Sequence, residues 1–186
     1  TEPVAPYAGS RWLPGPSQRP GTSSCGGVAS HTAWCSEVSG IAVRVANGST
    51  AGLAAVTSLN VPLTHRDHAQ GVVFVTGHAK PGSGGVDWPA LAACARNAHL
   101  TLVIYMGVSG VGQIQQGLLS ALPASTPAAV IQHASLPQQR HAGTTLGALA
   151  DTIEREQLGS PSVIVVGDVM AGVAAAQQEA RRVRAA

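Results

Sequence analysis

The sequence predicts an α/β fold, with helices packed on a sheet, from three observations. Short β-rich runs recur along the chain, helix-like runs with recognisable starts stand between them, and glycine-bearing loops follow the strand ends. The β-rich runs are IAVRVA (41–46), GVVFVTG (71–77), LTLVIYMG (100–107), AAVIQHA (128–134) and PSVIVVGD (161–168). LTLVIYMG and PSVIVVGD are apolar almost throughout, as strands covered on both faces are.

Each helix candidate has its own local reason. A small-residue helix starts near Thr50 and closes at SLNVP. Asp87 is placed to cap WPALAACARNA, with Pro89 tolerated in the first turn. Ser109 precedes GVGQIQQGLLSAL, where Ile114, Leu118, Leu119 and Leu122 mark one face. Thr144 or Thr145 precedes LGALADTIEREQ, in which Leu146, Leu149 and Ile153 share a face. Residues 1–39 differ: they are rich in Gly, Pro and Ser, show no sustained period, and are expected to be irregular.

Composition narrows the function. With 186 residues the chain can bury one sizeable core, and with only 3% aromatic residues that core must be aliphatic. Charged residues make up 11% and the formal net charge is +2. No basic footprint of the kind a nucleic-acid groove needs is present, so no nucleic-acid partner is expected. Arg181, Arg182 and Arg184 are assigned to a solvated helix end. The three cysteines, Cys25, Cys35 and Cys94, form no CxxC pair, which fits a reducing cytoplasm better than a zinc site or a disulfide framework. No apolar run approaches the roughly 20 residues of a membrane span, so no membrane partner is expected.

In open α/β sheets ligands sit beyond the carboxyl ends of strands, which directs attention to the loops at Gly77, Gly107, His133 and Gly167. GVSGVG (107–112) resembles a dinucleotide turn, but its spacing is GxxGxG and the next strand carries no acid for a ribose. A tight, closely packed strand-to-helix turn explains these glycines at least as well. His65, Asp67 and His68 in LTHRDHAQ invite a metal, yet a metal site needs three or four convergent ligands and no second cluster accompanies them. Arg66 carries a planar fork suited to carboxylates. His78, His133 and His141 stand near strand ends as cleft candidates or as loop histidines bonded to backbone. No GxSxG elbow and no paired carboxylates occur, and Lys80, the only lysine, lies in a Gly/Pro loop. The residues by themselves define a domain with a cleft and no complete catalytic set.

Six blocks in order, VPLTHRDHAQ, VTGH, DWPALA, TLVIYMG, QQRHAGTTLGAL and SPSVIVVGDV, carry a resemblance. From about Gly40 to Met170 the chain resembles the uroporphyrinogen-III C-methyltransferases, members of the tetrapyrrole methylase family, and within them the methyltransferase module of siroheme synthase. The resemblance implies two α/β domains with S-adenosyl-L-methionine in the cleft between them, no metal for methyl transfer, and a homodimer. It implies C-methylation of uroporphyrinogen III, a tetrapyrrole, to precorrin-2 for siroheme or cobalamin.

Residue by residue, the resemblance places cofactor contacts at Thr50, Ala51, Met106 and Ala134. It places substrate contacts at His65 and Arg66, with Arg66 on propionates. Ala134 stands where the family has glycine, and Ser49 where it has an apolar residue. The family's glycine loop, its GGDPF-FGRG block and its acid/base pair have no counterpart. The resulting partition is 1–39 irregular and non-native, 40–66 a remnant of the first domain and linker, 67–172 the second α/β domain, and 173–186 a helix or tail. Codons displaced by one base from Pro20 let PGTSSCGGVA encode Gly-Asp-Leu-Phe-Val-Trp-Gly-Arg-Gly, so compensating frameshifts are the expected origin of the first segment. Two other readings stand beside an enzyme that this chain represents incompletely. One is a non-catalytic module that dimerises or binds tetrapyrrole, and the other a nicotinamide-binding domain.

Overall fold

A computed structural model describes residues 50–78 and 84–172. The expected strand IAVRVA, Ser49, Lys80, the segment 1–39 and the tail 173–186 lie outside the described residues. The first element is helix α1, Ala51–Thr57, favoured by its three alanines. It ends where Asn60 turns left-handed (φ 55°) and the Val61 N–H returns to the Val56 carbonyl at 3.2 Å. Strand β1 (Gly71–Thr76) follows, then helix α2 (Trp88–Asn97), strand β2 (Leu100–Tyr105) and helix α3 (Val111–Leu119). Strands β3 (Pro127–Gln132) and β4 (Arg140–Thr145), helix α4 (Leu149–Arg155) and strand β5 (Ser162–Val166) complete the order. Asp87 caps α2 as expected, its Oδ1 accepting the Ala90 N–H at 3.0 Å.

The five strands form one sheet in the order β1-β2-β5-β3-β4. β1 and β2 are parallel, and the pairs β2–β5, β5–β3 and β3–β4 are antiparallel. β2 and β5 are therefore interior strands, and their alternate residues serve two cores. Leu102, Ile104, Ile164 and Val166 face α2, α3 and α4 through Ala92, Ile114, Leu118, Leu149 and Ile153. Val103, Val163 and Val165 face the other way, onto Ala55 and Val56 of α1 and onto Met170. Burying each such Leu, Ile or Val stabilises the fold by about 1.5–3 kcal/mol, so the continuous apolar runs of β2 and β5 are what a doubly covered sheet demands. The ends of β1 and β2 come so close that a Cβ on Gly77 would lie 2.7 Å from the Gly107 Cα. That contact accounts for Gly77; a Cβ on Gly107 of GVSGVG would lie 3.0 Å from Ile164 and 3.1 Å from Ile104, whereas one on Gly112 would meet open space.

Four expectations are corrected. Residues 140–145, expected as loop and helix entry, form the edge strand β4. Its inward side chains are Ala142 and Thr144, too small and polar to register as a β-rich run. Thr144 is consequently not a helix cap; its hydroxyl pairs with that of Thr152 in α4 at 2.8 Å. Leu119 is 37% exposed and falls off the buried stripe of α3, although Ile114 and Leu118 are on it. The Gly167 loop does not join those at Gly77, Gly107 and His133. β5 runs against β2 and β3, so Gly167 sits at the opposite sheet edge, its N–H bonded to the Pro127 carbonyl at 2.9 Å.

Candidate functional site

The carboxyl ends of β1, β2 and β3 share one edge, which also holds the start of β5. Two strands end there in left-handed residues: Met106 (φ 52°) follows β2 and His133 (φ 51°) follows β3, with Ser135 (φ 66°) just beyond. Non-glycine residues in this conformation cost of order 1–3 kcal/mol each and cluster at functional sites. They border a cleft of about 330 Å³ lined by Ala51, Tyr105, Met106, His133, Ala134 and Leu136, with Ile131 and Val163 in its wall. Met106 is 47% exposed, so it is not the buried end of its strand; it leaves the core where the cleft begins.

Ala51, Met106 and Ala134 thus meet at one cleft although they stand far apart in sequence. Thr50 is tied to the same place through Tyr105, whose hydroxyl lies 2.5 Å from Thr50 Oγ1 and accepts the Gly52 N–H at 3.1 Å. Thr50 makes no side-chain cap of its own, so the Tyr105 hydroxyl satisfies an N–H in the first turn of α1. The tyrosine ring stacks at 6.2 Å on Phe74. Gly52 permits this approach, because a Cβ there would lie 2.5 Å from the Tyr105 hydroxyl oxygen and 2.7 Å from Val103. Sequence reasoning missed Tyr105. Its only visible signal was adjacency to Met106 in the YMG block.

His65 and Arg66 are not brought to this cleft. They belong to the turn before β1, where the His65 N–H bonds the Ala69 carbonyl and the Gln70 N–H bonds the His99 carbonyl. That turn lies at the other sheet edge, a strand length away, roughly 16 Å for the five steps between six residues at about 3.3 Å each. There His65 and His68 stack at 4.9 Å and line a second cleft of about 400 Å³ with Pro62, Asp168 and Val169. The His65 Nδ1 accepts the Asp67 N–H at 3.2 Å. Among the described residues no group of three or more His, Cys, Asp or Glu is placed to hold a metal ion. Nor is any helix there long and apolar enough to cross a membrane.

Among the described residues, the lining of the first cleft includes no Asp, Glu, Lys or Arg. It offers apolar wall, two hydroxyls at Ser160 and Ser162, the His133 ring and the Met106 thioether. Such a surface suits a ligand with a flat apolar part and few charges.

The family of Tetrapyrrole (Corrin/Porphyrin) Methylases matches residues 19–150. That match opens inside the segment 1–39 that the ordered blocks left outside the resemblance. A siroheme synthase of Azotobacter vinelandii is 45% identical over 132 residues, covering 70% of this chain and 28% of the relative. A uroporphyrinogen-III C-methyltransferase of Pseudomonas fluorescens is 43% identical over 131 residues, covering 70% of this chain and 51% of the relative. This chain therefore spans about a quarter to a half of the length of these curated relatives. Among solved structures, the uroporphyrin-III C-methyltransferase of Thermus thermophilus complexed with S-adenyl homocysteine superposes with a TM-score of 0.59 at 27% identity, covering 75% of this chain and 59% of that one. On the family match, which takes in well over half its length, this chain belongs to the tetrapyrrole methylases.

Proposed function

We propose that the chain is part of an S-adenosyl-L-methionine-dependent methyltransferase that C-methylates uroporphyrinogen III to precorrin-2, on the way to siroheme or cobalamin. One observation carries this reading: Ala51, Met106 and Ala134 line a single cleft, with Thr50 bonded to its wall. The names of the relatives and the S-adenyl homocysteine complex of the Thermus protein support it.

The residues fit the cofactor. The cleft lies near the lower end of the roughly 300–1,000 Å³ typical of ligand sites, enough to take part of such a molecule. Ala51 and Ala134 keep its walls low, and the soft thioether of Met106 gives apolar contact at its rim. The cofactor, when bound, supplies an electrophilic methyl on a sulfonium. What these residues contribute is position, because a transfer between two bound partners is governed by their alignment. His65 and Arg66, at the far edge, are out of reach of a carbon reacting beside Met106. Arg66 stays in the proposal only as a contact for a peripheral carboxylate of the tetrapyrrole. A homodimer and a cytoplasmic setting belong to the same proposal, and gel filtration at several concentrations checks the first.

The test is transfer of a labelled methyl from S-adenosyl-L-methionine to uroporphyrinogen III, beside calorimetric titration with S-adenosylhomocysteine. Incorporation above a no-protein control supports the proposal. Binding of S-adenosylhomocysteine without incorporation replaces it with the non-catalytic module. A melting shift with NAD(H) and none with S-adenosylhomocysteine replaces it with the nicotinamide reading.

A further inference from the structure

Gln139, in the block QQRHAGTTLGAL, stands in the loop that carries Ala134. Gln139 is half-buried at the end of the loop 133–139, between exposed residues on either side. Its amide makes two bonds of opposite sense. Oε1 accepts the Ser135 N–H at 2.7 Å, and Nε2 donates to Ser58 Oγ at 2.9 Å. Ser58 in turn donates to the Ala55 carbonyl at 2.7 Å, at the end of α1.

These bonds join the two walls of the cleft. The start of α1, with Ala51, is held to β2 and Met106 by the Tyr105 hydroxyl. The end of α1 is held to the loop carrying Ala134 by Gln139 and Ser58. Among the described residues the other backbone ties of the loop are the His133 N–H to the Pro161 carbonyl and two successive turns closed through Leu136 and Gln139. Ser135 is left-handed, a conformation that persists only where its surroundings impose it. The Gln139 bond to its N–H is such a constraint.

We propose that Gln139 is a positioning residue: through Ser135 and Ser58 it locks the Ala134 loop to α1 and so presets the cleft for its ligand. The ligand named here rests on the proposed function, but the lock does not. Without Gln139 the loop samples other conformations, and binding must first reorder it, which weakens affinity by the fraction of competent molecules. The amide is needed for its two-sided geometry. Glutamate keeps the acceptor for Ser135, but it can meet Ser58 only if that hydroxyl gives up its bond to the Ala55 carbonyl, so it restores the Ser135 half of the lock alone.

The experiment compares the 186-residue chain with Gln139→Ala, Gln139→Glu and Ser58→Ala. Amide hydrogen exchange of residues 133–136 is measured without ligand, and S-adenosylhomocysteine affinity by calorimetry. Gln139→Ala is expected to speed exchange in 133–136 by about tenfold and to weaken binding by about tenfold, the scale of one or two net hydrogen bonds. Exchange in β2 and β5 stays unchanged, and Gln139→Glu, which keeps the Ser135 bond and loses the donor to Ser58, falls between the parent and Gln139→Ala in both readouts. Ser58→Ala gives an intermediate effect that is not additive with Gln139→Ala. Unaltered exchange at 133–136 in Gln139→Ala overturns the lock, as does faster exchange spread equally through the sheet. A parent chain that ignores S-adenosylhomocysteine removes the cofactor reading and leaves the exchange result to judge the lock alone.

Discussion

The two edges of the sheet carry residues of opposite character. At the edge where β1, β2 and β3 end, the cleft is apolar and bordered by left-handed residues, and its named contacts are Ala51, Met106 and Ala134. At the other edge the cleft sets His65, His68 and Asp168 among the apolar residues Pro62, Val169 and Ala171. Side-chain chemistry alone favours the second, since histidines and an aspartate look like a site. Left-handed residues stand at both edges, since His99 (φ 50°) precedes β2 at the second. Met106 and His133 at the first, however, follow their strands directly into the lining of the cleft, which favours the first. Polar residues near a loop are thus a weaker indicator than strain that the fold sustains at an edge where parallel strands end.

Substitutions at each edge sharpen this contrast. The largest effect is expected from Ala134→Leu, which puts bulk into the cleft wall. It should weaken S-adenosylhomocysteine binding about a hundredfold, at the upper end of the 1–3 kcal/mol that overpacking costs, with an unchanged circular dichroism spectrum. Met106→Gly separates function from stability. Losing the thioether should lower affinity about tenfold. Urea denaturation should show stability unchanged or higher by up to about 1 kcal/mol, as relief of left-handed strain outweighs the backbone entropy of glycine.

Tyr105→Phe keeps the ring on Phe74 and removes the hydroxyl that serves Thr50 and Gly52. About 1–2 kcal/mol of stability should go, the worth of a helix cap, read as a lower midpoint in the same denaturation series. The smallest effect belongs to the far edge. His65→Ala and Arg66→Ala should each leave S-adenosylhomocysteine affinity within about twofold, since sites this distant act independently. A loss comparable with that of Met106→Gly would erase the distinction between the edges.

Much of the fold was legible because burial leaves a mark on sequence. β2 and β5 announced themselves as continuous apolar runs, and Leu146, Leu149 and Ile153 as one helical face. β4 was not legible, since an edge strand facing the core with Ala142 and Thr144 needs neither β-branched bulk nor alternation of strong contrast. The placement of Gly167 was missed for a topological reason: strand direction is set by pairing, and nothing local in PSVIVVGD says that it runs against its neighbours. At the site, Thr50, Ala51, Met106 and Ala134 came from ordered family blocks, not from their own chemistry. Tyr105 and Gln139 act through single hydrogen bonds across long stretches of sequence, which no periodicity records.

Nuclear magnetic resonance mapping of S-adenosylhomocysteine on the 186-residue chain bears most directly on the central claim, that the ligand sits where β1, β2 and β3 end. The account predicts the largest amide shift changes at Ala51, Gly52, Met106, Gly107, Ala134 and Ser135, with His65, His68 and Asp168 unmoved. Shifts concentrated at His65, His68 and Asp168, or none at Met106 under saturating ligand, would contradict it.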